Sequence, residues 1–221
     1  MLNLLGKRST DMYKLFDWKN EIKENELDEV VNVLNNNGIV IFPTETVYGI
    51  GGNAMSNEVV DRVYSAKQRP RAKAVNILVK NIDEIEKYAE ITSDVERKII
   101  NSFMPGPITI ILKRKPGIGD GFTLDDGTIG VRIPDNTIIN AILDRIDFPL
   151  MAPSANISDK PSGINVSQIA DDFKDTVDVI IDGGDAKLGL SSTIVKVDNG
   201  EIKILREGKI SKEEILEKIN R

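Results

Sequence analysis

Between residues 26 and 36, Leu27, Val30, Val31 and Leu34 recur at i, i+3, i+4 and i+7, the stripe of one helix face. Gly38 ends that segment, and the unbroken run Ile39-Val40-Ile41-Phe42 predicts a short buried strand, because β-branched residues favour a pleated surface. Pro43 cannot donate to a continuing ladder, so the strand is expected to break into the polar corner Thr44-Glu45-Thr46-Val47-Tyr48. Gly49-Ile50-Gly51-Gly52 reads as a bend, and Ser56 as the cap of a helix that buries Val59, Val60 and Val63. Pro70 stops that helix just beyond Lys67 and Arg69. Residues 75–79 form the next strand candidate. Ser93 and Glu96 have capping-box spacing ahead of Ile99, Ile100 and Phe103, which predicts a helix over 94–103.

The Pro105-Gly106-Pro107 corner then opens a strand over 108–112, and the charged, glycine-rich stretch 113–127 reads as an exposed loop or a wide hairpin. A strand over 129–133 carries Arg132 inside it. Asp135 is the expected cap of a helix burying Ile138, Ile139, Ile142, Leu143 and Ile146. Short strands over 149–152 and 177–181 bracket the Pro153-Ser154-Ala155-Asn156 loop and a short helix through Ile169. Strands at 192–197 and 202–205 flank Asp198-Asn199-Gly200-Glu201, a strong hairpin signal, and Ser211 with Glu214 caps a last helix. Tyr13, Phe16 and Trp18 suggest an N-terminal arm anchored by aromatics. Strands joined through helices, plus one local hairpin, predict an α/β fold with a mixed sheet covered by helices.

Composition narrows the chemistry. The 221 residues carry 29 basic and 35 acidic side chains, a net charge of -6, so a polyanion would have to meet a local basic site. Cysteine and histidine are both absent, which removes disulfides, thiolate nucleophiles, histidine bases and most transition-metal sites. Chemistry is left to carboxylates, hydroxyls, Lys, Arg and backbone amides. No apolar run approaches the roughly 20 residues of a membrane span, and residues 1–9 lack a secretory core, so a cytoplasmic protein with no membrane contact is expected.

Four polar segments are expected to converge on one face of the sheet: 44–48, 67–73, 154–156 and 191–193. Lys67 and Arg69 read either as a solvated helix end or as a phosphate clamp. Arg132 reads equally as one half of an internal ion pair or as the partner of an anionic ligand. Thr44, Tyr48, Ser154, Asn156 and Ser192 taken singly are ordinary loop-bracing residues. There is no P-loop and no dinucleotide fingerprint, since the glycines at 49, 51 and 52 have the wrong spacing.

In combination, Pro43-Thr44-Glu45-Thr46-Val47-Tyr48-Gly49, Lys67-Gln68-Arg69-Pro70, Pro105-Gly106-Pro107-Ile108-Thr109, Val131-Arg132-Ile133-Pro134, Ala152-Pro153-Ser154-Ala155-Asn156 and Ser192-Thr193-Ile194-Val195 resemble the YrdC/Sua5/TsaC family of threonylcarbamoyl-AMP synthases. The resemblance implies a single YrdC-like domain over 26–208, preceded by an arm over 1–25 and followed by a helical tail over 209–221, with a twisted mixed sheet around a large concave cavity. It implies formation of threonylcarbamoyl-AMP and pyrophosphate from L-threonine, bicarbonate and ATP, for the t6A modification at position 37 of tRNA, with Mg2+ carried on the phosphates. It places Lys67, Arg69, Ser154 and Asn156 at the nucleotide, with Lys67 and Arg69 as the catalytic cations. Thr44, Tyr48, Arg132 and Ser192 fall around the threonine, and Arg132 opposite its carboxylate. Thr46, Lys73 and Thr193 lie in the same motifs as wall residues. Ala74-Val75, Asn136 and Ser191 depart from the family pattern. An RNA-binding module and a related carbamoyl- or acyl-adenylate enzyme are the competing readings. Contact with tRNA or with the transferase complex, and the oligomeric state, are left open.

Overall fold

The computed structural model describes residues 13–119, 121–123 and 126–220. Residues 1–12 of the expected arm over 1–25, and Asp120, Leu124 and Asp125 of the 113–127 segment, lie outside them. The chain enters as β1 (Lys14–Asp17), a strand with no sequence signal beyond its aromatics, and continues into α1 (Glu24–Asn35). Trp18 closes over α1, where its indole Nε1 donates to Glu26 Oε2 at 2.7 Å, and Phe16 stacks on it. Next come β2 (Val40–Phe42), β3 (Gly49–Gly51), α2 (Asn57–Ala66), β4 (Ile77–Leu78), α3 (Ile82–Tyr88), β5 (Ala89–Glu90) and α4 (Asp94–Phe103). The remaining elements are β6 (Ile108–Arg114), β7 (Thr128–Arg132), α5 (Thr137–Leu143), β8 (Leu150–Met151), α6 (Ala170–Phe173), β9 (Val179–Asp182), β10 (Thr193–Asp198), β11 (Glu201–Arg206) and α7 (Lys212–Ile219).

The strands form two mixed sheets. One runs β1-β9-β2-β3, parallel except for the β2–β3 pair, and the other runs β11-β10-β6-β7-β4-β8, with β5 joined to β6. In the larger sheet β10 pairs β6 and β4 pairs β7 in parallel, while the other pairings are antiparallel. Backbone bonds from Met151 N to Gly52 O, 2.9 Å, and from Ile50 N to Pro153 O, 3.0 Å, stitch the two sheets together beside β3. This is the α/β fold with a mixed sheet and flanking helices that the pattern predicts.

The run 39–42 is apolar throughout because both faces of β2 are covered. Ile39 and Ile41 enter one core with Ile50, Val59 and Val63, while Val40 and Phe42 enter a second core with Leu27, Leu34 and Ile139. Three local expectations change. The 49–52 bend is in fact strand β3, and a Cβ at Gly51 would sit 1.5 Å from Met151 O, so the glycine is there for close approach of two backbones. Asn136, not Asp135, caps α5, its Oδ1 accepting from Ile138 N and Ile139 N at 3.0 and 3.2 Å. The 113–127 segment is the connection of the β6–β7 hairpin, and it is not wholly exposed: Phe122 is buried and its carbonyl accepts from Val75 N.

Candidate functional site

The ends of β6, β7, β10 and β11, together with the 43–48 corner and the 152–154 loop, enclose a cavity of about 280 Å³. Six of the eight residues singled out in the sequence line it: Thr44, Tyr48, Arg69, Arg132, Ser154 and Ser192. Lys67 and Asn156 stand behind its wall.

Arg132 is one half of an internal ion pair with Glu45. It borders the cavity, yet all three of its guanidinium nitrogens are engaged: Nε donates to Gly106 O at 3.2 Å, Nη1 to Thr46 Oγ1 at 2.9 Å, and Nη2 lies 2.7 Å from Glu45 Oε1. The order of donors can be read from the hydroxyl chain. Thr44 Oγ1 gives its proton to Val47 O at 2.6 Å, so Thr46 donates to Thr44 across 2.8 Å while accepting from Arg132. Both threonine protons are thus spent inside the corner, and Thr44 Oγ1 also accepts from Thr46 N and Val47 N at 3.2 and 3.3 Å, so what the threonines offer a ligand is methyl surface and the remaining lone pair of Thr46. Tyr48 is similarly committed: its hydroxyl donates to Gly184 O at 2.7 Å and accepts from Gly183 N at 3.0 Å, and burial pushes its pKa well up.

Lys67 follows the last turn of α2 and is 1% exposed. Its ammonium donates to the carbonyls of Ser154 and Asn156, so it ties α2 to the loop it was expected to face across a phosphate. The side chains of that loop brace it further: Ser154 Oγ donates to Asn156 Oδ1, and Asn156 Nδ2 donates to Ile157 O and Lys160 O. Burial, then repulsion from Arg69, lowers the Lys67 pKa from 10.5 to about 7. Between those values the unfolded chain binds more protons than the folded one, so stability rises with pH across the window and is lost as pH falls towards 7. Urea unfolding from pH 7 to 10 is expected to show that slope in the parent and to lose it in Lys67→Met; parallel profiles would remove the effect. Arg69, by contrast, lines the cavity; Nε and Nη2 donate to Lys73 O and Ala74 O, and it has no carboxylate partner among the described residues.

Arg206 is the cation that the sequence pattern does not reveal. In the β10–β11 hairpin Val195 pairs with Ile204 but Ile194 pairs with Arg206, so Leu205 bulges out, 57% exposed, at the cavity mouth. That shift sets Arg206 against Ser192: Nε and Nη2 donate to Ser192 O at 3.0 and 2.8 Å, and Nη2 also to Ser192 Oγ at 3.0 Å. Gly208 makes the approach possible, since a Cβ there would lie 2.4 Å from both Ser191 O and Thr193 N. Arg206 is exposed as a residue because it borders an open mouth, yet burial of its guanidinium, then repulsion from Arg132 and Arg69, lowers its pKa. It too has no carboxylate partner among the described residues. Thr109 Oγ1 bonds Ser192 Oγ at 2.8 Å, so the serine sits between Arg206 and Thr109. Thr193 faces away, its hydroxyl donating to Ile210 O, and Lys73 pairs with Asp159.

A family model described as Sua5/YciO/YrdC, telomere recombination, matches residues 32–208. The chain belongs to the Sua5/YciO/YrdC family. It is 41% identical over 197 residues to a putative threonylcarbamoyl-AMP synthase of Methanocaldococcus jannaschii, covering 89% of this chain and 92% of that one. With the threonylcarbamoyl-AMP synthase of Pyrococcus abyssi it shares 34% identity over 177 residues, 80% of this chain but 52% of that relative. The crystal structure of P. abyssi Sua5 complexed with L-threonine superposes with a TM-score of 0.89 at 31% identity, over 93% of this chain and 60% of that one. Against these family members the chain spans about nine-tenths of a short relative and little more than half of a longer one.

Proposed function

We propose that this chain is an L-threonylcarbamoyladenylate synthase, which joins L-threonine, bicarbonate and ATP and releases pyrophosphate. The observation that carries the reading is the charge of the cavity: Arg69, Arg132 and Arg206 all line it, and among the described residues only Arg132 has a carboxylate partner. Arg69 and Arg206, two cations on one cavity without a carboxylate partner among the described residues, call for an anionic ligand with several charges. A triphosphate has that charge. A pocket with apolar walls such as Ile111 and Ile129 and a few convergent polar groups is the form a small-molecule site takes.

In this reading the amine of threonine condenses with bicarbonate, releasing water, to give a carbamate whose oxygen attacks the α-phosphorus of ATP. The P–O bond to pyrophosphate breaks as the new one forms, and no enzyme nucleophile is needed. Arg69 and Arg206 offset charge on the phosphates, and Lys67 supports the same wall through the 154–156 loop. An anion at that wall also favours the charged form of Lys67. Magnesium enters with the substrate, as its ATP complex. Arg132, Thr44, Tyr48 and Ser192 form the threonine side. The L-threonine complex of the P. abyssi relative supports that assignment by similarity. The product would feed the modification of tRNA at adenosine 37.

An RNA-binding surface over 67–73 has less to draw on. Lys67 is buried, Arg71 is paired with Asp61 and stacked on Tyr64, and Lys73 is paired with Asp159. Pyrophosphate release is the direct test, measured with ATP, threonine and bicarbonate and with each omitted in turn. Arg69→Ala is expected to reduce that release by about a hundredfold while leaving the thermal midpoint within a few degrees. Release that continues without threonine would contradict the substrate assignment.

A further inference from the structure

Glu45 is the one charged residue of the 43–48 corner, and nothing above gives it a task beyond its ion pair. It is 5% exposed, and its neighbours Thr44 and Thr46 both line the cavity while it does not. Neither of its carboxylate oxygens makes a hydrogen bond, and its Oε1 lies 2.7 Å from Arg132 Nη2, itself without a hydrogen bond. A buried carboxylate with no hydrogen bond is costly, and the Arg132 pairing is what offsets that cost in the fold. For Arg132 the same contact is one of three restraints, and the other two, Gly106 O and Thr46 Oγ1, are neutral. A guanidinium has five N–H groups in a fixed fork; Nε and Nη1 each bond a neutral acceptor, while Nη2 is buried without a hydrogen bond and is held only by the charge of Glu45. Arg132 borders the cavity, so the orientation of that rigid group decides how its charge meets an anion there.

We propose that Glu45 is a positioning residue, a buried counter-ion that sets the plane of the Arg132 guanidinium and so the orientation in which Arg132 meets a carboxylate at the cavity wall. Glu45 takes no part in bond making and does not touch the substrate. Its charge and its length both matter: the charge holds Nη2, and the length sets where Nη2 is held. The identity of the carboxylate as that of threonine rests on the function proposed above; the locking of Arg132 does not.

The experiment uses the whole chain and two readouts. In calorimetric titration with L-threonine, Glu45→Gln, which keeps length and loses charge, and Glu45→Asp, which keeps charge and loses a methylene, are each expected to weaken binding about tenfold, roughly 1.4 kcal/mol. ATP affinity should stay within about twofold, a split that general loosening of the fold would not give. Nitrogen-15 NMR of the arginine side chains reads Arg132 without any ligand. Its Nη signals should be separate in the parent, where rotation is restrained, and averaged in Glu45→Gln. If the parent binds no threonine, the functional reading falls while the NMR still decides the role of Glu45. Tighter threonine binding by Glu45→Gln would show that Glu45 only subtracts charge, and an unchanged Arg132 spectrum would show that it fixes nothing; either result overturns the proposal.

Discussion

Replacing Arg132 by alanine is expected to lower the unfolding free energy by about 3–5 kcal/mol, the range for removing one partner of a buried ion pair. The side chains of the pair are 7% and 6% exposed, so solvent cannot take over the role of the guanidinium. The larger part of the loss comes from what is left behind: Glu45 with both oxygens buried, and Thr46 Oγ1 and Gly106 O without their donor. A double-mutant cycle separates these contributions. Arg132→Ala/Glu45→Ala removes both charges and should be more stable than Arg132→Ala alone, because no charge is stranded. Activity should not return with stability, since the proposed partner of the substrate carboxylate is gone. A double variant no more stable than the single one would mean that packing, not the stranded carboxylate, sets the loss.

Arg206→Ala is expected to do the reverse, leaving the fold nearly untouched and lowering kcat/KM for ATP by about two to three powers of ten, the usual effect of removing one preorganised charged donor. The residue is exposed at the mouth and its partners are Ser192 O and Oγ, so little of the core depends on it. Arg206→Lys keeps the charge but not the forked grip on Ser192, and should recover only part of the rate. Initial-rate kinetics against ATP and against threonine distinguish the outcomes. A change of less than about threefold in Arg206→Ala would remove it from the phosphate side.

The contrast between these arginines shows what the amino-acid pattern can and cannot carry. Arg132 was visible because it interrupts an apolar strand, where a guanidinium without a partner is improbable. Arg206 lies in an alternating surface strand, where a cation is unremarked. Its place at the cavity depends on a bulge between Ile194 and Val195, a long-range register that local propensity does not encode. The capping boxes at Ser93 and Ser211 and the hairpin turn at Asn199-Gly200 were legible for the opposite reason: each is a short-range device whose residues satisfy their own backbone. Strand β3 was hidden because Gly49 and Gly51 look like a bend unless the Phe42 ring is known to press against the first and the Met151 backbone against the second. Lys67 illustrates a further limit. Its motif marks it as important, but only the fold shows that in the ligand-free protein its ammonium is given to two carbonyls of the neighbouring loop.

The central claim is that one cavity brings ATP, threonine and bicarbonate together. It is tested most directly by mass spectrometry of the nucleotide products formed in the presence of carbon-13 bicarbonate. The account predicts an adenylate carrying threonine and one labelled carbon, absent when any one substrate is withheld and strongly reduced in Arg206→Ala. ATP consumed without such a product, or an adenylate whose carbonyl carbon is unlabelled, would contradict it.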